Sequence, residues 1–78
     1  MIEIWEPRYK DDTLLVASWK IKPGITTEVK ITKGYYSGKY TIPWSVIQGC
    51  KVEKKPTKSG RDMDFTVVPL EKLEKVDG

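Results

Sequence analysis

Histidine is absent from this chain of 78 residues, and Cys50 is its only cysteine. Without imidazole there is no histidine metal ligand, no Cys–His pair and no Ser–His–Asp machinery. One cysteine excludes an internal disulfide and any cysteine-based zinc finger built within the chain. On an apparently inward strand position, Cys50 reads as a small buried hydrophobe rather than a nucleophile. No apolar stretch approaches the ~20 residues needed to cross a bilayer. The chain opens without a basic-then-apolar leader, which together with the lone thiol gives the expectation of a cytoplasmic protein. Carboxylates come in close pairs, Asp11/Asp12, Asp62/Asp64 and Glu71/Glu74, but none has an acid–base partner nearby in sequence or a glycine-rich loop to cradle a phosphate. The expectation is a protein with no catalytic, cofactor or metal site.

What is present is enough apolar matter to fold: hydrophobic residues make up 38% of the chain. At this length the reading is one domain, residues 1–78, near the lower end of what folds without a staple. Charge is unevenly placed. Residues 1–19 carry a net −2, residues 20–40 and 41–61 each carry +4, and residues 62–78 carry −3. A basic middle between acidic ends suits phosphate binding, but lysines on strand faces also keep small sheets from pairing edge to edge.

Apolar alternation at a period of two recurs along the chain, punctuated by glycine and proline. A first strand is expected over residues 2–5, stopped by Pro7, followed by a polar loop with a turn at Asp11-Asp12. The longest apolar run, residues 13–21, predicts the central strand, with Leu15, Ala17, Trp19 and Ile21 inward. Lys22-Pro23-Gly24 is a turn signal, and residues 26–32 are expected to return as its hairpin partner with Thr27, Val29 and Ile31 inward. A third strand ends at Ile42, after a bulge or turn at Ser37-Gly38. Pro43 to Ile47 fits a short helical turn closed by Gly49. Residues 50–55 and 62–68 form the last long strands, with Cys50, Val52, Met63, Phe65 and Val67 inward. The predicted core is Leu15, Ala17, Trp19, Val29, Ile31, Ile42, Val52, Phe65, Val67 and Leu73.

At Pro69 the period changes from two to three. The stretch Phe65-Thr66-Val67-Val68-Pro69-Leu70-Glu71-Lys72-Leu73-Glu74-Lys75-Val76 resembles the closing segment of SH3-like barrels, in which a strand ends at proline, makes one 3₁₀ turn and resumes as a last strand pairing with the first. The resemblance implies an all-β fold: a small SH3-like antiparallel barrel of five or six strands with short 3₁₀ turns. It transfers no functional residue. The chain lacks the aromatic, acidic first-loop motif and the tryptophan pair of signalling SH3 domains, and the glycine-punctuated first strand of KOW modules. The opening Trp5-Glu6-Pro7-Arg8-Tyr9 is similar to small uncharacterised proteins of bacteria and their phages.

Two surface constellations stand out. Tyr35, Tyr36 and Tyr40 are interleaved with Lys30, Lys33 and Lys39, the combination by which rings stack on bases and ammonium groups neutralise phosphates. Lys51, Lys54, Lys55, Lys58 and Arg61 flank the polar loop at residues 56–60. Of the tryptophans, Trp19 is expected in the core and Trp5 over a barrel edge, while Trp44, the one of the three expected to be partly exposed, either stacks a ligand or, as the favoured reading, plugs the barrel. The functional expectation is a non-catalytic interaction module that binds a protein, with nucleic acid as the alternative partner.

Overall fold

The computed structural model describes residues 1–76. Eight strands form two four-stranded sheets. The first sheet has the order β1 (Ile2–Ile4), β4 (Thr27–Ile31), β5 (Gly38–Ile42), β8 (Glu74–Lys75). The second has the order β2 (Tyr9–Lys10), β3 (Thr13–Ala17), β7 (Asp62–Pro69), β6 (Lys51–Pro56). The only α-helical element among the described residues is the single turn α1 (Trp44–Ile47), entered through Pro43 and followed by Gly49 as the sequence predicts. The all-β expectation therefore holds. The finer architecture differs from the expected five or six antiparallel strands, since β1 runs parallel to β4, with Ile2 beside Val29 and Ile4 beside Ile31. The closing segment has the expected form, β7 ending at Pro69, a 3₁₀ turn (Leu70–Lys72), then β8. That last strand pairs with β5 rather than with the first strand.

The expected hairpin between residues 13–21 and 26–32 does not form. After Ala17 the chain tightens into a 3₁₀ turn (Ser18–Lys20), which ends the strand and turns the chain out of the second sheet. The loop that follows carries it to the first sheet, so β3 pairs with β7 and β4 with β1 and β5. The two-residue turn at Asp11-Asp12 is present, with Asp11 in the left-handed region at φ 54° that aspartate tolerates. It makes a hairpin of β2 and β3 where a loop was expected.

The core lies between the sheets. Val29, Ile31, Tyr40 and Ile42 from the first sheet meet Leu14, Val16 and Val68 from the second, with Ile2 and Ile47 closing the sides. Trp44, Cys50 and Leu73 pack against this cluster half-buried. Trp44 is thus an end plug rather than the most exposed tryptophan. The inward face of the second sheet is Leu14, Val16, Thr66 and Val68, the opposite set from the one predicted. Val29, Ile31 and Ile42 are buried as expected, but Trp19 is 52% exposed and Val52, on edge strand β6, is 57% exposed.

The predicted set Leu15, Ala17, Phe65 and Val67 does share one face, as their register requires, but it is the outer one. Leu15 and Phe65 are nonetheless buried. Two long basic side chains strap that face. The Arg8 Nη1 donates to the Pro56 carbonyl oxygen at 2.8 Å while its guanidinium lies 5.5 Å from the Phe65 ring centre. Lys10 Nζ donates to Glu53 Oε1 at 2.8 Å, reaching from edge strand β2 toward β6. Stems of such side chains cover apolar surface while their heads stay wet. Trp19 adds its edge to Phe65 with ring centres 5.5 Å apart. The outer face is thus a minor core with a charged lid.

That lid is sensitive to acid. The Lys10 hydrogen bond, opposed by partial desolvation and aided by the charges of Lys10, Lys55 and Lys51, holds the Glu53 carboxyl below its ordinary value of 4.5. A carboxyl whose folded pKa is depressed contributes fully above its unfolded pKa and loses that contribution as pH falls through the folded one. Thermal melts should therefore show native protein weakening below about pH 4.5, and Glu53→Gln should flatten that acid limb. An unchanged acid limb would mean that the strap does not couple to folding.

Candidate functional site

Tyrosines, not lysines, make the most coherent surface feature. The loop at residues 32–37 joins β4 to β5 and carries Tyr35 and Tyr36. Its backbone is tied by Ser37 N–H donating to the Gly34 carbonyl at 3.1 Å, with Gly34 at φ 96°, a conformation glycine adopts without a Cβ penalty. Below it, the buried Tyr40 sends its hydroxyl up to the Tyr36 carbonyl oxygen at 2.8 Å. This bond anchors the loop to the core from a side chain the loop does not contain. Tyr40 thus supports the site from within instead of contributing a face to it.

On that anchor, three rings pack in sequence. Tyr35 stands edge-on to Tyr36 with centres 5.0 Å apart at 82°. Tyr36 meets Tyr9 at 5.5 Å and 51°. Tyr9 comes from β2 in the second sheet, so the cluster spans the seam between the sheets. Partial burial, and then the neighbouring phenols of Tyr40 and Tyr36, push the Tyr9 hydroxyl pKa up. Tyr35 is 93% exposed, while Tyr9 and Tyr36 keep more than a third of their surface in water. An open groove of about 410 Å³ runs beside Tyr36, floored by Thr13, Pro69 and Leu70 and rimmed by Asp12 and Glu71.

The lysines predicted to accompany these rings are dispersed. Lys30 and Lys39 face each other across β4 and β5 on the outer face of the first sheet. Lys33 stays on the tyrosine loop. Lys55 lies on the outer face of the second sheet, 3.9 Å from Glu53, and Lys54 occupies the opposite pleat of the same edge strand. Lys58, at the tip of the β6–β7 hairpin, pairs with Glu6 at 2.7 Å. That hydrogen bond, then the Lys58 charge, lower the Glu6 carboxyl, with a smaller contribution from Lys33. Arg61 is exposed beside the turn in which the Thr57 N–H donates to its carbonyl. The two basic segments are therefore divided among several faces, and where Lys33 and Lys58 approach one another they do so around Glu6.

Tyr9 and Trp5 went unassigned as binding residues in the sequence because their neighbours are distant in the chain. A signal for Tyr9 was there in principle: a two-residue turn at Asp11-Asp12 places it opposite Leu14, and so beside the core rather than in a loop. The thiol of Cys50 donates to the Val46 carbonyl at 3.2 Å, and burial pushes its pKa up, which suits the structural role expected of it. Among the described residues no cluster of acids and thiols is arranged to hold a metal ion, and no helix is long and apolar enough to cross a membrane. No protein-family model matches the chain, and neither a curated protein nor a solved structure matches it.

Proposed function

We propose that this protein is a non-catalytic interaction module, built on a divergent SH3-like barrel, that docks a protein partner at the Tyr9–Tyr35–Tyr36 cluster. The observation that carries the reading is the packing of three rings at the surface, one pair edge-to-face and one tilted, on a hydrogen-bonded anchor from Tyr40. Tyrosine supplies a large, rigid, amphipathic contact at small entropic cost, and such anchors dominate protein interfaces. The rings restrain one another, so little freedom is lost on binding. The groove beside them offers an apolar floor with two carboxylates at its rim, favouring a partner segment with apolar and basic side chains. Closing-segment geometry supports the barrel reading, and a reducing cytoplasm suits the unpaired thiol.

The test is affinity capture with the native domain and with a Tyr9→Ala/Tyr35→Ala double variant. Both rings are exposed enough that the variant should melt within a degree or two of the native protein. A captured partner should bind the variant more weakly by about 2 kcal/mol or more, roughly thirtyfold. A partner bound equally by both proteins would remove the cluster from the interface.

A further inference from the structure

The outer face of the first sheet carries a charge arrangement that folding alone does not favour. Lys30 and Lys39 sit directly opposite each other in antiparallel register, and like charges so placed destabilise a sheet. Among the described residues neither makes an ion pair. Glu3 is the register neighbour of Lys30 on β1 but comes no closer than the 4 Å limit of such a pair. One pleat further, Trp5 leaves the end of β1 with 67% of its surface exposed. The chain is clamped just before it, because both the N–H and the hydroxyl of Thr32 donate to the Ile4 carbonyl, at 3.1 and 3.0 Å. These two bonds fix the backbone at the point where Trp5 leaves the sheet.

Between Trp5 at one edge and Val76 at the other runs an open groove of about 590 Å³, lined by Lys30, Lys39 and Lys75. Lys75 reaches the groove from the other pleat, since it sits opposite the buried Tyr40 and its Cε lies 3.5 Å from where a Cβ of Gly38 would stand. Glu3, Glu28 and Glu74 belong to the same sheet but do not line the groove. Crossing four strands, it spans three strand spacings, roughly 14 Å. One flat ring and two ammonium groups, those of Lys30 and Lys39, thus share a shallow track on this pleat that no side-chain carboxylate lines.

We propose that this face binds single-stranded nucleic acid, with the Trp5 indole stacking on a base and Lys30 and Lys39 neutralising the adjoining phosphates. Aromatic stacking combined with a basic track is the physical basis of single-strand binding, and it needs bases that are not already stacked in a duplex. A phosphate between Lys30 and Lys39 also relieves the repulsion present in the free protein. An acidic peptide would satisfy the ammonium groups but offer no planar face to the indole. The site is separate from the tyrosine cluster and does not depend on it.

The experiment is fluorescence anisotropy with a labelled oligothymidylate, titrated at low and at tenfold higher salt. Two phosphate contacts give a log–log salt slope of about −1.4, so affinity should fall about twenty-five-fold over that range. Trp5→Ala should weaken binding at least about fivefold. Lys30→Gln/Lys39→Gln should remove nearly all of the salt dependence, leaving a slope near zero (about 0 to −0.3), while melting no lower than native protein because a like-charge pair has gone. Lys51→Gln/Lys55→Gln, on the other sheet, should leave affinity within about twofold if the contact is local. Absence of binding at low salt overturns the proposal. So does an equal loss in the Lys51/Lys55 variant, which would mean undirected charge attraction. Polyglutamate binding as tightly as oligothymidylate would overturn it as well, by showing that the indole reads no base.

Discussion

Ile42→Ala should leave the domain largely unfolded at room temperature. Ile42 lies in β5, opposite Thr27 of β4, and has no solvent exposure. It packs in the cluster that joins both sheets, so the cavity left by its side chain has walls from each and cannot close by moving one of them. Removing a buried isoleucine side chain costs roughly 2–5 kcal/mol, while a domain of this size has on the order of 3–5 kcal/mol in total. Val52→Ala, by contrast, touches an exposed position on an edge strand and should change stability by less than about 0.5 kcal/mol. Urea melts of the two variants decide the matter. Val52 shares the inner pleat with Thr66 but lies beyond the cover of the first sheet, so a loss as large as that of Ile42→Ala would mean that edge strand β6 is packed and not exposed.

Phe65→Ala should be the next most damaging change, at about 3 kcal/mol. Its ring is buried on the outer face, under Arg8 and against Trp19. The lower end of the usual phenylalanine range applies because the lid over it is made of movable side chains. Trp19 and the Arg8 stem can settle into part of the space. A double-mutant cycle with Trp19→Ala separates these effects: the edge-to-face pair should give a coupling of about 0.5–1.5 kcal/mol. Additive losses would mean that the indole merely lies nearby, and that the straps alone bury Phe65.

These two positions also show what was legible in the sequence. In β4 and β5 one face is apolar and the other polar, so alternation placed Val29, Ile31 and Ile42 inward without ambiguity. In β3 both faces are apolar, and period alone cannot rank two apolar faces. In β7 the apolar face of Met63, Phe65 and Val67 is the outer one, and the inner carries Asp62, Asp64, Thr66 and Val68. Leu15 with Phe65 promised more volume than Val16 with Thr66, yet the smaller set faces the other sheet. The larger set is buried by Arg8 and Lys10, residues whose sequence positions suggest a loop. Trp19 was assigned inward by extending the strand through Ser18, where a 3₁₀ turn breaks the alternation. Turns fared better because their chemistry is local: Asp11-Asp12 and the Pro43–Gly49 segment each ended or redirected the chain as expected.

The candidate site was half legible. Tyr35 and Tyr36 were recognised from composition, but their partnership with Tyr9 depends on which sheets meet at the seam, and no local pattern encodes that. Lysine placement was misleading for the same reason. Adjacent positions in a strand point to opposite faces, so Lys54 and Lys55 part company at once, and Lys30 joins Lys39 only through the hairpin register.

The two sheets are threaded alternately. β1 belongs to the first, β2 and β3 to the second, β4 and β5 to the first, β6 and β7 to the second, and β8 returns to the first. Only the β2–β3, β4–β5 and β6–β7 pairs are neighbours along the chain, and each such hairpin exposes an apolar face until strands from elsewhere arrive. No single cut separates the chain into a piece that owns one sheet and a piece that owns the other. The fold therefore has no stable half to retreat to, and partial unfolding of either sheet removes the covering of the other. Such interleaving makes the domain an all-or-none cooperative unit despite its small core, and any split version of it would have to reassemble both sheets at once.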